Sequence, residues 1–315
     1  MYFISFDKIR FVNFLPNRSR FTVLCQELID AFKRDAAQRG VPRLLLTAAV
    51  AAGYKTIDAG YEIAKIGQIL DFINLMAYDL HGTWDKKTGH HTAMVGDDKL
   101  TVPYAVDYWL KGGMPAKKIA LGMGTYGRAF TLDNTTNNGL GAPAKKAGPR
   151  GKYTREAGFL AYYEICSKQG LTVVQNNAVG APYGYIGEEW YGFDNKQSLT
   201  QKVNKLIKGK NLLGAMFWAL DLDDFKGTMC NQGPYPLMNH VKKLLGGYTP
   251  PPPVTEEPLP PTQKPPPTQA PPTQAPPTQP PSGVCRGVPG YEHLDAWCKA
   301  NCAAGYCPAS HCTCA

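Results

Sequence analysis

No apolar run in this 315-residue chain approaches the ~20 residues that a membrane helix needs, so no membrane span is expected. The opening stretch, MYFISFDKIRFVNFL, interleaves aromatics with charges and lacks the basic start, apolar core and small-residue cleavage site of a secretion signal. Charge is sparse at 19% of residues, and the net +9 is spread along the chain rather than gathered in an arm. No basic-aromatic motif or zinc-finger spacing accompanies it, which argues against nucleic acid as a partner. His81, His90 and His91 have no carboxylates at ligand spacing around them, so neither a metal nor a cofactor is expected. Cysteine is scarce over residues 1–247, where only Cys25, Cys166 and Cys230 occur.

What the chain does have divides it sharply. Residues 1–247 carry regular apolar runs and read as globular, while 248–283 are nearly all Pro, Thr and Gln. That linker repeats Ala-Pro-Pro-Thr-Gln at 270–274 and 275–279. Proline stiffens it towards an extended form, and its threonines suit O-glycans, as in mucin-like stalks. Residues 284–315 hold six of the nine cysteines, a disulfide scaffold that implies an oxidising compartment. Many pairings of Cys285, Cys298, Cys302, Cys307, Cys312 and Cys314 are open, and zinc is the weaker alternative. Tyr291, Trp297 and Tyr306 give this module rings on which a sugar could stack, the alternative being a structural or protein-binding knob. Asn17-Arg-Ser and Asn134-Thr-Thr match the N-glycosylation pattern, which adds weak support for an extracellular protein.

Within the globular part, Ser19 can cap a helix running to about Ala37, with Phe21, Leu24, Cys25, Leu28 and Phe32 on one face. Buried runs follow at 44–50, 72–78, 119–126 and 212–220, with helical patterns at 106–110 and 199–207 between them. Near-continuous apolar strands alternating with helices predict an α/β fold whose parallel sheet is buried on both faces. The Gly/Pro-rich interval at about 129–211 reads as a small α+β insertion before the last strand. Alternation along a strand groups Met76 with Tyr78, Tyr126 with Arg128, and Met216 with Trp218. Aromatic faces, phenols, a thioether and one guanidinium suit a neutral amino sugar.

Three stretches sharpen that expectation: Asp71-Phe-Ile-Asn-Leu-Met-Ala-Tyr-Asp79, Gly122-Met-Gly-Thr-Tyr-Gly-Arg128 and Gly214-Ala-Met-Phe-Trp-Ala-Leu-Asp-Leu-Asp-Asp-Phe225. Together they resemble the C-terminal half of a glycoside hydrolase family 18 chitinase, from about Arg20 to Leu245. The resemblance implies a partial (β/α)8 TIM barrel made of its C-terminal four strands, followed by the stalk and a Cys-rich module that often binds chitin in such proteins. It implies chitin or N-acetylglucosamine oligomers as the partner. Trp218 would lie under the distorted sugar. Tyr78, Tyr126, Met76 and Asp79 would surround its acetamido group, Arg128 would sit near the adjoining sugar, and Trp84 would stack on the leaving-group side. Cys166 and Cys230 would form a disulfide, and Cys25 would remain a buried free thiol.

The same resemblance exposes a gap. Family chemistry is substrate-assisted: the acetamido oxygen attacks the anomeric carbon while a glutamate protonates the leaving oxygen. That glutamate ends an Asp-x-x-Asp-x-Asp-x-Glu run, and no such run occurs here. Asp79 belongs on the acetamido side, Asp221, Asp223 and Asp224 read as loop or capping residues, and Glu188 and Glu189 as solvated ones. Little or no hydrolysis by this chain alone is therefore expected, because protonation is worth ~10²–10⁴ in rate. The expectation is one part of a longer secreted chitinase, Met1 to Asn17 resembling nothing in the family. The alternatives are a non-catalytic chitin-binding lectin and an interaction protein acting through stalk and module. Open sheet edges leave the oligomeric state undecided.

Overall fold

The computed structural model describes residues 2–4, 17–96 and 98–247, together with 285–287, 298–299 and 312–314. The stalk at 248–283, most of residues 1–15, and the rings Tyr291, Trp297 and Tyr306 lie outside the described residues. The chain divides into two units, Met1–Thr255 and Glu256–Ala315.

In the first unit, β1 (Tyr2–Ile4), β2 (Leu46–Ala51), β3 (Phe72–Met76), β4 (Ile119–Gly124) and β11 (Gly214–Trp218) form one sheet in the order β1-β2-β3-β4-β11. All four pairings are parallel. Between them run α1 (Asn17–Arg39), α2 (Tyr54–Gly60), α3 (Ile63–Ile69) and α4 (Val102–Lys111), and α7 (Pro236–Leu245) follows the last strand. The parallel α/β expectation holds, with one strand more than the four apolar runs indicated. β1 is too short to show an apolar period, and its pairing with β2 places it at the sheet edge.

Local sequence explains the boundaries. α1 buries Phe21, Cys25 and Ile29, one side chain per turn, with Leu28 and Phe32 packed beside them. Leu24, expected on that face, is exposed together with Val23. The buried stripe follows the i, i+4 row, and Leu24 falls to its flank. Each fully buried side chain of this kind contributes roughly 1.5–3 kcal/mol before conformational entropy is counted. The strand expected at 44–50 begins at Leu46, since Leu44 and Leu45 lie exposed ahead of it. Thr101 caps α4 by accepting the Tyr104 N–H at 3.3 Å, with proline in the first turn. The Trp109 indole donates to the Ala51 carbonyl at 2.9 Å and ties α4 to β2.

The run expected to continue from 119 to 126 breaks at Thr125. There β5 (Tyr126–Leu132) leaves the parallel sheet and opens an antiparallel one with β6 (Ala144–Ala147), β7 (Phe159–Ala161), β8 (Thr172–Asn176), β9 (Ala181–Ile186) and β10 (Glu189–Phe193). The helix α5 (Tyr162–Cys166) completes the α+β insertion. It starts at Tyr126 rather than 129, because β5 takes its register from β10 and β7 and not from β3. Asn195 then caps α6 (Lys196–Lys202) in a reciprocal box with Ser198, and the helix widens to a π turn over Val203–Lys208.

The buried carboxylates Asp194, Asp223 and Asp224 are matched. Asp194 and Lys202 form an ion pair with both side chains at or below 1% exposure, and Asp194 also accepts from Thr92 and Ser198. Asp223 accepts the Leu237 and Met238 N–H groups at the start of α7, and Asp224 accepts from Gly227, Met229 and Cys230. Both act as the capping and loop carboxylates the sequence suggested. In the second unit, β12 (Cys285–Gly287) pairs antiparallel with β13 (Cys312–Cys314), and Cys298 is bonded to Cys312.

Candidate functional site

The C-terminal ends of β3, β4 and β11 meet the first residues of β5, and the sequence-selected side chains gather there. β3 ends at Met76, and three residues later Asp79 turns back with φ 58°, a left-handed conformation that Asp tolerates better than most residues. Gly122 on β4 allows the close approach: a Cβ there would stand 2.2 Å from the Leu75 carbonyl and 3.1 Å from the Tyr78 ring. Tyr78 packs edge-on against Tyr126 at 5.9 Å, and Met76 and Met216 pack against the same small cluster.

Tyr126 and Arg128, two apart on β5, both reach Asp79. The Tyr126 hydroxyl donates to Oδ1 at 2.7 Å. The Arg128 guanidinium closes a two-point pair, Nε to Oδ1 and Nη2 to Oδ2, each at 2.7 Å. Burial works against the Asp79 charge, but hydrogen bonds from His91 and Arg128 and the charge of the Arg128 guanidinium outweigh it and hold the carboxyl well below the usual carboxylate range. Burial, reinforced by the Asp79 charge, keeps Tyr126 a protonated phenol. Asp79 is thus an acceptor with no proton to give.

The two tryptophans lie open beside this buried node. Trp218 ends β11 with 43% of its surface exposed, its carbonyl accepting the Thr125 N–H at 3.0 Å. Thr125 also donates its hydroxyl to Ala219, across a cis Trp218–Ala219 peptide. Trp84 is 58% exposed in a short helical turn, with the Arg128 guanidinium 5.7 Å from its ring centre. Asp85 holds that turn by accepting the Gly82 N–H at 3.1 Å and facing His81 at the same distance. A Cβ at Gly82 would meet the Trp84 ring at 2.3 Å, so a side chain there would force that ring to shift.

All seven sequence-selected sugar-facing residues lie in this region: Met76, Tyr78, Asp79, Trp84, Tyr126, Arg128 and Trp218. Cys166 and Cys230 are bonded across 64 residues, tying α5 to the loop before α7, and Cys25 is a buried free thiol whose pKa burial pushes up to about 12. Sequence reasoning missed three contributors. Phe159 packs at a tilt 4.6 Å from Tyr126 and lies 5.3 Å from the Arg128 guanidinium. Glu156 approaches Arg128 at 3.9 Å from an exposed rim. His91, wholly buried, packs on Tyr126 at 4.9 Å with Nδ1 3.7 Å from the Asp79 carboxylate. All three belong to loops or to the insertion, where no period marks an inward position. Burial lowers the His91 pKa despite Asp79, so the ring is neutral.

His90 is bound into the frame rather than the site. Its Nε2 lies 3.0 Å from the Pro182 and Phe193 carbonyls, and Nδ1 accepts the Thr92 N–H at 3.1 Å. A second ring proton would displace that Thr92 donor, and burial holds the His90 pKa down at about 3. A depressed histidine stabilises the fold above its unfolded pKa near ~6.5, and that contribution is lost as pH falls towards the folded value. We expect the protein to lose about 2 kcal/mol of stability between pH 7 and pH 5. Urea unfolding at the two pH values measures it, and a flat profile would contradict the assignment. Among the described residues no group of three His, Cys, Asp or Glu side chains has metal-holding geometry.

Comparison with known proteins now bears on the site. The family model for glycosyl hydrolases family 18 matches residues 7–223. The chain belongs to that family. The match begins ahead of Arg20, where the resemblance was expected to start. Mouse chitotriosidase-1 is 47% identical over 236 residues, which are 73% of this chain and 50% of that protein. Human chitinase-3-like protein 2 is 43% identical over 238 residues, 72% of this chain and 60% of the relative. The chain thus spans about half to three fifths of the length of these relatives. Among solved structures, YKL-39 crystallised with chitooligosaccharides matches with a TM-score of 0.70 at 44% identity, covering 73% of this chain and 65% of that one. Human YKL-39 is described as a pseudo-chitinase that retains chitooligosaccharide binding. TsES1 of Trichuris suis, an immunomodulatory active chitinase, matches with a TM-score of 0.71 at 38% identity. This family 18 chain therefore has both catalytic and non-catalytic relatives.

Proposed function

We propose that this chain is a secreted chitinase-like protein that binds N-acetylglucosamine oligomers through the cluster around Asp79 and does not hydrolyse them unaided. The observation that carries this reading is the state of Asp79. Its carboxylate is ionised and fixed by Arg128, Tyr126 and His91, so it can orient an acetamido N–H but cannot protonate a leaving oxygen. The exposed face of Trp218 supplies a floor for the sugar's CH face, Tyr78, Tyr126 and Met76 border the acetamido group, and Arg128 and Trp84 extend the surface towards the neighbouring sugar. The open five-stranded sheet fits the C-terminal part of a (β/α)8 barrel, whose ligands sit at this end of the strands. The Cys166–Cys230 and Cys298–Cys312 disulfides suit an oxidising, extracellular setting.

Calorimetric titration with chitotetraose, combined with a product assay on the same sample, tests the proposal. Saturable binding without released oligosaccharides is expected. Steady turnover by the purified chain would overturn it, and would support the active-chitinase alternative that mouse chitotriosidase-1 and TsES1 make reasonable.

A further inference from the structure

Away from the sugar cluster, the loop between β5 and β6 presents a feature that sugar binding does not use. It holds Asn134-Thr135-Thr136, and residues 133–137 are all exposed. The base of the loop is anchored. The indole of buried Trp190 donates to the Asn138 carbonyl at 3.1 Å, and Thr88 donates its hydroxyl to the Gly139 carbonyl at 2.7 Å. The tip is folded so that the Asn134 side-chain oxygen accepts both the Thr136 N–H and the Thr136 hydroxyl, each at 2.9 Å.

We infer that Asn134 is an N-glycosylation site, modified from an oligosaccharide carried on a lipid pyrophosphate. A hydroxyl donating to the amide oxygen withdraws electron density through the C–N bond and makes the Nδ2 proton easier to remove. In the transfer, the Asn134 Nδ2–C1 bond forms and the C1–O bond to the pyrophosphate breaks. The Nδ2 proton passes to a base of the transferase, and the lipid pyrophosphate departs as the leaving group. No oxidant or reductant is needed. The exposed tip gives the glycan room without displacing a buried side chain. The other matching tripeptide, Asn17-Arg18-Ser19, lies in the first turn of a 23-residue helix, where a helical backbone does not form the turn seen at Asn134. The disulfides place this chain in the oxidising route where such transfer occurs.

The test is expression of the full chain behind a standard secretion leader in eukaryotic cells. Trypsin cleavage after Arg128 and Lys145 isolates residues 129–145, which contain one such tripeptide. Release with a glycan-removing amidase in ¹⁸O-water should convert Asn134 to labelled Asp in most molecules. Thr136→Val should abolish the label and Thr136→Ser should retain it, with the thermal midpoint unchanged in both. An unlabelled 129–145 peptide from the secreted protein, labelling confined to Asn17, or persistence of the glycan in Thr136→Val would each overturn the inference.

Discussion

Replacing Trp218 with alanine is expected to weaken chito-oligosaccharide binding at least ~30-fold, a loss of about 2 kcal/mol, while leaving the fold intact. The asymmetry follows from exposure. Trp218 keeps 43% of its surface open, so truncation leaves no sealed cavity of the kind that makes core substitutions costly. Its main-chain bond to Thr125 does not depend on the side chain. What disappears is the ring face, and a sugar has no other apolar platform of that size at the end of β11. Trp218→Phe should recover part of the affinity, since a smaller ring still stacks. Titration of both variants with chitotetraose, beside circular dichroism, decides the matter. Unchanged affinity in Trp218→Ala would remove the proposed floor and direct attention to the C-terminal module.

Most of the site was legible because its residues sit on, or just past, strands with strong apolar runs. Met76 and Tyr78 close one such run, Trp218 ends another, and the Tyr126/Arg128 pair keeps the two-residue alternation that brings both side chains onto Asp79. The family resemblance supplied what periodicity could not, namely the pairing of Cys166 with Cys230 and the selection of Trp84, which lies beside Arg128. Less legible were features decided by tertiary contact. Thr125 ends a strand that the apolar pattern carries onward, because Tyr126 is recruited by the antiparallel sheet of the insertion. Leu24 looks like a core residue on the helix wheel, yet it lies 41% exposed at the flank of the buried stripe. His91 looked like a loop histidine; its role emerges only when the loop folds back beneath Tyr126. Lys202 would pass for a surface residue, and only its meeting with Asp194 and its full burial at the end of α6 reveal a structural ion pair.

Asp79→Asn should damage both binding and stability, and the two losses separate the roles of one carboxylate. In the native protein the charge is matched by Arg128 through two contacts of 2.7 Å, and among the described residues the other carboxylate paired with Arg128 is Glu156 at 3.9 Å. Removing the charge leaves a guanidinium at 16% exposure without its main partner. Breaking a wholly buried pair costs ~3–5 kcal/mol; Asp79 keeps 35% exposure, so solvent screening reduces this and about 2–3 kcal/mol is expected. Asparagine preserves an acceptor for the Tyr126 hydroxyl, which keeps the variant folded enough to assay. Affinity for chitotetraose should fall at least ~30-fold, because a neutral amide accepts an acetamido N–H less strongly than a carboxylate does. The native site, whose Asp79 is ionised well below the ordinary carboxylate range, should bind equally well at pH 7 and pH 5. A lowered Asp79 pKa gives stability that is present above its unfolded value near ~3.9 and is lost only as pH falls through the folded one, so neither pH touches it. If Asp79→Asn lost stability yet kept full affinity, Asp79 would be a brace for Arg128 and Tyr126 alone, and the acetamido group would have to be held elsewhere.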